Sequence, residues 1–232
     1  MSCEDMDESI LNAKKNAAIH AIDYIKQGMI IGLGTGTTAT FFIDALAKKV
    51  QEGLKISAIA SSNKSMEQAK QLGIPLVDPE NIYSIDIVVD GADEIDHKKN
   101  MIKGGGGALL REKLVAKASK EMIVIIDETK LVSHLGKFPV AVEIIPFLYH
   151  YTLKELQKFG LNSILRKNNE GNNYLTDNGN YILDIHFNDP IHSPYSEHEK
   201  LKGMTGVVET GFFFNLATHV IVGYKNGTTN IF

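Results

Sequence analysis

The sequence is poor in three things, and each shortage narrows what it does. It has one cysteine in 232 residues, Cys3, which leaves no intramolecular disulfide and no cysteine-based metal motif and suits a reducing compartment. It has no excess of positive charge: 24 Lys and Arg stand against 28 Asp and Glu, a formal net charge of -4. Without a basic footprint, nucleic acid and anionic membranes are not expected partners, and any anion site must be local. Finally, no apolar run is long enough to cross a bilayer, and Met1 to Ile10 is acidic where a secretory signal would be basic and then apolar, so a cytoplasmic protein is expected. What remains is ordinary globular composition, 44% hydrophobic and 22% charged, in a chain long enough for one large domain or a main domain with a smaller insert.

Glycine is where the sequence is most specific. In Lys103-Gly104-Gly105-Gly106-Gly107-Ala108-Leu109-Leu110-Arg111-Glu112-Lys113, four consecutive glycines lead into a helix-forming run. Successive residues without a Cβ can turn several backbone N–H groups into one concavity and let a ligand approach the main chain. A helix beginning near Ala108 adds its open N-terminal amides and partial positive charge, so negative charge developing on an oxygen there is stabilised without reorganisation. Glu112 then sits where a base can act. The alternative is a flexible linker with Glu112 merely complementing the helix dipole. Linkers usually mix glycine with serine and polar residues, whereas this run is bounded by Met101-Ile102, a lysine and an immediate helix.

The N-terminal half alternates helix and strand. Ile10, Leu11, Ala17, Ala18, Ala21, Ile22 and Ile25 recur with helical spacing from Glu8 to Lys26, and Gly28 falls where a C-cap glycine belongs. Lys14 and Lys15 lie on that helix and read as solvated unless something brings an anion to them. Met29-Ile30-Ile31 reads as a buried strand entering Gly32-Leu33-Gly34-Thr35-Gly36-Thr37-Thr38, after which Ala39 to Val50 reads as a helix. A strand, a glycine loop and a helix offer backbone amides and the Thr35, Thr37 and Thr38 hydroxyls to a phosphate. The dinucleotide fingerprint fails because Thr37 occupies its last glycine position, and the P-loop fails because no lysine follows Gly36. A phosphate on a small molecule asks less of the loop; a purely structural turn is the other reading. Strands are then expected at Ile56 to Ala60, Ile74 to Val77, Ile85 to Val89 and Met122 to Ile126, with a helix from Lys64 to Leu72, the pattern of a parallel doubly wound sheet. Ligands gather at the carboxyl ends of such strands.

One of those strands ends in Asp90-Gly91-Ala92-Asp93-Glu94-Ile95-Asp96, four carboxylates in seven residues. An EF-hand needs glycine at its sixth position, where this run has Ile95. Calcium is therefore disfavoured, while spacing alone leaves open magnesium on one or two of these acids. Asp90 and Asp93 also suit accepting sugar hydroxyls or shuttling protons, and a solvated acidic loop fits Glu94 and Asp96 better.

Beyond Gly136 the style changes. Strand-like Val140 to Ile145, helical Tyr151 to Phe159, strand-like Asn162 to Arg166, an Asn-rich stretch from Lys167 to Asn173, a hairpin of Tyr174-Leu175 with Tyr181 to Ile185, helical Tyr195 to Leu201 and strand-like Val207-Val208 suggest a β-α-β-β-α-β unit of the ferredoxin type. Gly211 to Ala217 and the strand Val220 to Val222 return to the first style. His186, His192, His198 and His219 lack metal-ligand spacing and read as structural or surface residues.

Taken together, Gly34-Thr35-Gly36-Thr37-Thr38-Ala39, Asp90-Gly91-Ala92-Asp93-Glu94, Lys103 to Leu109, Arg111-Glu112-Lys113, Gly136-Lys137-Phe138-Pro139 and Thr176-Asp177-Asn178-Gly179-Asn180 closely resemble the A-type ribose-5-phosphate isomerases over nearly the whole chain. The resemblance implies an aldose–ketose isomerase that interconverts ribose 5-phosphate and ribulose 5-phosphate through an enediolate, in the pentose phosphate pathway, with no metal and no cofactor. It implies Glu112 as the base between C2 and C1, with Asp90, Asp93 and Lys103 handling ring opening, hydroxyl protons and the enediolate. Gly104, Gly105 and Gly106 would complete the oxyanion site, beside Gly91 and Ala92. Thr35, Gly36, Thr37 and Thr38 would hold the phosphate with Lys14 and Lys130. The family usually has serine where this chain has Thr37, and the hydroxyl survives that change. The implied fold is α/β: a doubly wound Rossmann-like domain, residues 1-135 plus 210-232, with an inserted ferredoxin-like α+β domain, residues 136-209. The implied partner is a small sugar phosphate, and the implied assembly is a homodimer or homotetramer. A sugar-phosphate-binding regulator would keep the phosphate loop without needing Glu112 or Lys103, and a coenzyme A transferase would use a glutamate as nucleophile; the two remain as rival readings.

Overall fold

Strands buried on both faces of a parallel sheet read as unbroken apolar runs, because helices cover both sides. A computed structural model, which describes residues 8–232, shows where those runs lie. Cys3 and most of the acidic opening segment fall outside the described residues. The first elements are α1 (Glu8–His20), β1 (Ile30–Leu33), α2 (Thr37–Gln51), β2 (Ser57–Ala60), α3 (Asn63–Gln71) and β3 (Ile85–Asp90). After the short strands β4 (Glu94–Ile95) and β5 (Met101–Ile102) come α4 (Leu109–Ala118) and β6 (Ser119–Asp127). The later elements are β7 (Val140–Ile144), α5 (Tyr149–Lys158), β8 (Asn162–Leu165), β9 (Tyr181–His186), α6 (Pro194–Lys202), β10 (Val207–Thr210), β11 (Phe212–Phe213), β12 (His219–Gly223) and β13 (Thr229–Ile231). Among the described residues no helix is long and apolar enough to cross a membrane.

The chain forms two compact units. The first runs to Ala92 and resumes over Arg111–Leu131 and Leu216–Phe232; the second comprises Asp93–Leu110 and Val132–Asn215. In the first unit six strands take the order β13-β12-β6-β3-β1-β2, with β12, β6, β3, β1 and β2 parallel and β13 antiparallel at the edge. Its core packs Ile31, Leu33, Val89, Ile123 and Ile125 of the sheet against Phe42, Ile43 and Leu46 of α2 and Ala17 and Ala18 of α1. In the second unit four antiparallel strands take the order β10-β7-β9-β8. With α5 and α6 as their crossovers, this is the β-α-β-β-α-β arrangement expected. Val140, Val142, Ile144, Leu183 and Ile185 pack on Leu156 and Leu201. A three-stranded sheet, β11-β5-β4, completes this unit.

Three expectations from pattern are corrected. The helix expected to reach Lys26 stops at His20 and tightens into a 3-10 turn over Ala21–Tyr24, with Gly28 at φ 82° beyond it. Ile74 to Val77 is not a strand: Leu76 makes an isolated bridge to Ala58, and Pro75 has no N–H with which to extend a ladder. Tyr174-Leu175 does not pair with β9. The turn closes as expected, with Thr176 N–H donating to Asn180 O at 2.9 Å, but Tyr174 N–H donates instead to Arg166 O at 3.0 Å.

Candidate active site

In the first unit the carboxyl ends of β1, β2, β3 and β6 form one edge, and the loops leaving that edge carry most of the expected residues. Gly34 follows β1, and its N–H donates to Val89 O at 3.0 Å. A Cβ on Gly34 would lie 2.1 Å from Asp90 Oδ1, so glycine is required for the loop to close on that carboxylate. Asp90 ends β3, 1% exposed, and its Oδ1 accepts Thr35 N–H at 3.0 Å and Gly91 N–H at 2.7 Å.

The Thr35 hydroxyl faces a knot of serines rather than open space. It lies 2.9 Å from Ser61 Oγ and 2.8 Å from Ser62 Oγ, while Ser65 Oγ donates to Gly34 O at 2.6 Å and Ser61 Oγ to Leu33 O at 2.9 Å. Thr35 therefore holds the loop from inside, both its N–H and its hydroxyl being engaged. Gly36 is the N-cap of α2 at φ 108°, and Thr37 and Thr38 begin the helix. Gly36 and Thr37 are exposed and Thr38 is buried. The open amides and dipole of a 15-residue helix thus meet solvent at Gly36 and Thr37, which suits an anion.

Lys14 is not a solvated surface residue. It is buried, with Nζ 2.7 Å from Oδ2 of Asp127, a fully buried residue at the end of β6. Thr129 caps the same carboxylate through its N–H at 3.0 Å and through its hydroxyl. Burial pushes the Asp127 carboxyl up, and the bonds from Lys14 and Thr129 outweigh it, so the group lies below the ordinary aspartate value. Lys130 closes the 3-10 turn that follows, half-buried. Glu112 lies in the first turn of α4, 5% exposed. A Cβ on Gly32 would lie 2.6 Å from Val115 Cγ1 and 2.8 Å from Val88, so α4 packs directly on β1 and β3. As the crossover into parallel β6, α4 runs antiparallel to the strands. Glu112, one turn earlier than Val115, is therefore about 4.5 Å nearer the carboxyl edge.

The second unit carries the residues between Ala92 and Arg111. Asp93 Oδ2 accepts Gly105 N–H at 2.7 Å, and a Cβ on Gly105 would lie 2.7 Å from Asp93 Oδ1. Gly104 has φ 109°, a conformation that side chains rarely adopt. Lys103 is buried: its N–H donates to Gly211 O at 2.8 Å, and its Nζ lies 5.5 Å from the centroid of the Phe213 ring. Glu94 corrects the expectation of a solvated acid. It is buried and accepts Gly136 N–H at 2.8 Å and Phe138 N–H at 2.6 Å. Asp96 folds its own turn, accepting Lys98 N–H at 2.8 Å and Asn100 N–H at 2.9 Å. The four acids thus each take their own backbone amides. Among the described residues no group of three His, Cys, Asp or Glu side chains is arranged to hold a metal.

Pattern reading missed Ser65 and Asp127. Ser65 has no local signature beyond lying in the first turn of α3, and Asp127 ends a strand like many other aspartates. Only the fold brings Ser65 to Gly34 O and Asp127 to Lys14.

Comparison with known proteins bears on this geometry. The family model described as ribose 5-phosphate isomerase A (phosphoriboisomerase A) matches residues 57–227. The chain is 58% identical to ribose-5-phosphate isomerase A of Protochlamydia amoebophila, over 97% of each chain. It is 48% identical to that of Bacillus mycoides, over 94% of this chain and 98% of the other. Its fold is similar to ribose 5-phosphate isomerase from Plasmodium falciparum, with a TM-score of 0.92 at 39% identity over 96% of this chain and 98% of the other. It is also similar to a D-ribose-5-phosphate isomerase in complex with phospho-erythronic acid, with a TM-score of 0.91 at 36% identity over 98% and 99% of the two chains.

Proposed function

The chain belongs to the ribose 5-phosphate isomerase A family, and from that premise we propose how its residues interconvert ribose 5-phosphate and ribulose 5-phosphate. Glu112 removes the C2 proton of the open-chain aldose and returns it to C1, and the charge passes through an enediolate. Lys103 and the amides of Gly104, Gly105 and Gly106 stabilise that charge as it develops, where preorganised donors contribute most. Asp90 and Asp93, beside Gly91 and Ala92, handle ring opening and the protons of the O1 and O2 hydroxyls. Gly36, Thr37 and Thr38 hold the phosphate with Lys14 and Lys130, and Thr35 holds their loop. The reaction draws on no cofactor.

The observation that carries this reading is the placement of Glu112. It is a buried carboxylate in the first turn of a helix that directly follows four glycines and a buried lysine. A regulator that only bound a sugar phosphate would have no use for such a base. In this reading residues 136-209 are an inserted ferredoxin-like domain and the remainder is the catalytic domain. The enzyme acts as a cytoplasmic homodimer or homotetramer on a free sugar phosphate, with no nucleic acid or membrane partner.

The test is turnover of ribose 5-phosphate in deuterated water. Ketose should form with deuterium at C1, partial if the proton on a shielded Glu112 returns before it exchanges, and a chelator should leave the rate unchanged. Unphosphorylated ribose should react poorly, because remote binding energy orients the reacting carbons. Ketose without any deuterium, together with a loss of activity on chelation that a divalent ion restores, would replace the enediolate with a metal-assisted hydrogen shift, and comparable rates on ribose would remove the phosphate site.

A further inference from the structure

The glycine loop is held from a distance by a hairpin that none of the assignments above uses. Arg166 follows β8, and its N–H donates to Ile182 O at 2.9 Å. The Asn-rich stretch after it is an ordered turn: Asn168 Oδ1 accepts Glu170 N–H at 3.1 Å and Asn172 N–H at 2.9 Å, and Asn168 N–H donates to Asn172 O at 2.9 Å. That turn returns the chain so that Tyr174 lies beside Arg166, with the guanidinium 5.8 Å from the Tyr174 ring centroid. Arg166 is fixed by a two-pronged pair with Asp184, Nε donating to Oδ2 at 2.8 Å and Nη2 to Oδ1. Its remaining nitrogen reaches the glycines: Nη1 donates to Gly104 O at 2.8 Å and to Gly105 O at 3.2 Å. Tyr174 OH donates to Gly106 O at 3.3 Å, and a Cβ on Gly107 would lie 2.2 Å from that hydroxyl oxygen.

Three successive carbonyls are thus held by one hairpin. In a trans peptide the N–H points opposite to the carbonyl, so fixing the carbonyls of Gly104, Gly105 and Gly106 fixes where the N–H groups of Gly105, Gly106 and Gly107 aim. The Gly104–Gly105 peptide links Arg166 to Asp93, since Gly105 N–H is the donor to Asp93 Oδ2. Gly107 N–H turns back to Gly104 O at 3.0 Å. The clamp on Gly105 O sets the direction of the Gly106 N–H.

We propose that the Arg166–Tyr174 hairpin is a clamp that aims the glycine amides, which makes Arg166 a positioning residue for the isomerisation. This rests on the reading that those amides stabilise the enediolate. Arg166 acts through the loop and touches no reacting atom in this account. Its planar fork is needed, because a lysine cannot hold Asp184 at two points while bonding two carbonyls.

The experiment compares Arg166→Ala, Arg166→Lys and Tyr174→Phe with the parent protein by steady-state kinetics, thermal unfolding and amide hydrogen exchange of the segment around Gly104–Gly107. Arg166→Ala should lower kcat roughly tenfold to a hundredfold, the scale expected when a reacting group is displaced by about an ångström, with KM changed less than about threefold. Affinity for phospho-erythronic acid, whose carboxylate places charged oxygens as an enediolate does, should fall with kcat. Glycine-loop amides should exchange faster while the thermal midpoint stays close to that of the parent. Added guanidinium ion should restore part of the lost turnover in Arg166→Ala, Arg166→Lys should remain impaired, and Tyr174→Phe, which removes one hydroxyl, should show a smaller loss of the same kind. Unchanged exchange with unchanged kcat in Arg166→Ala would overturn the clamp. Faster exchange with unchanged kcat would show that the loop is clamped but that its amides do not stabilise the enediolate, which is failure of the underlying reading. A loss of turnover that follows only a lowered thermal midpoint, with no guanidinium rescue, would reduce Arg166 to a structural residue.

Discussion

The loop proposed to hold the phosphate, here the phosphate loop, and the glycine loop are both glycine-rich turns that lead into a helix, and they are held in opposite ways. The loop from Gly34 to Thr38 is held from within: Ser61 and Ser65 bond its backbone and that of β1, while Asp90 takes the Thr35 amide. These supports are short side chains, buried, with little rotamer freedom to lose on folding. The glycine loop is held from outside, by a long arginine and a tyrosine 62 and 68 residues further along the chain. A site that only grips a phosphate needs rigid amides in a fixed cup. Amides that must meet charge appearing during a reaction need a set direction, and here that direction depends on side chains that a single substitution can remove. The difference predicts that damage to the first loop appears in binding and stability, and damage around the second appears in turnover.

The largest effect expected is on the glycine-loop side. Glu112→Gln keeps the shape of the side chain but cannot take a proton, so kcat should fall about a thousandfold or more, with KM near that of the parent and the fold intact. Near-normal turnover would remove Glu112 from the chemistry and leave the two loops with similar roles. Lys103→Ala should come next, lowering kcat roughly a hundredfold, because a buried cation near a developing enediolate stabilises mainly the transition state. A change confined to KM would make Lys103 a binding residue and erase the contrast between the loops.

The phosphate loop should respond more mildly and in the other parameter. Ser65→Ala removes the donor to Gly34 O and one member of the hydroxyl knot around Thr35. Stability should drop by about 1 kcal/mol, as for one buried hydrogen bond, and KM for ribose 5-phosphate should rise a few-fold at nearly constant kcat. Denaturant titration and steady-state kinetics read both quantities. A fall in kcat with KM unchanged would mean that the phosphate loop, too, acts mainly in the transition state.

The same contrast explains what the sequence made legible. Alternating strand and helix, both glycine loops and the acids at the end of β3 are local patterns, carried by period and by neighbours a few residues apart. The ferredoxin-type unit was legible for the same reason, each strand and helix having its own period. What escaped were pairings decided by the fold. Glu94 looks like its neighbour Asp96, yet it is buried on the amides of Gly136 and Phe138. Tyr174-Leu175 has a strand's composition, but Tyr174 bonds Arg166 instead of β9. Lys14 and Lys15 are adjacent on one helix, and only the position of Asp127 makes one of them buried.

The smallest effect expected is a flat one, and it tests whether the Lys14–Asp127 pair is a fixed part of the phosphate side or a titrating one. The Asp127 carboxyl lies below its ordinary value, because the bonds from Lys14 and Thr129 outweigh the burial that pushes it up. A depressed carboxylate contributes stability that is fully present above the unfolded value, about 3.9 for aspartate. That stability is lost as pH falls from the unfolded value through the lower folded value, because over that interval the unfolded chain takes up a proton that the folded protein still excludes. Denaturant unfolding of the parent protein and of Asp127→Asn should therefore differ by a constant free energy from about pH 8 down to about pH 5, with the gap narrowing only in stronger acid. Titrations of groups that do not touch Asp127 cancel in the difference. A gap that slopes between about pH 8 and pH 5 would place the folded Asp127 carboxyl above its ordinary value. Burial would then outweigh the lysine, and Lys14 would lack a fixed charged partner when a phosphate arrives.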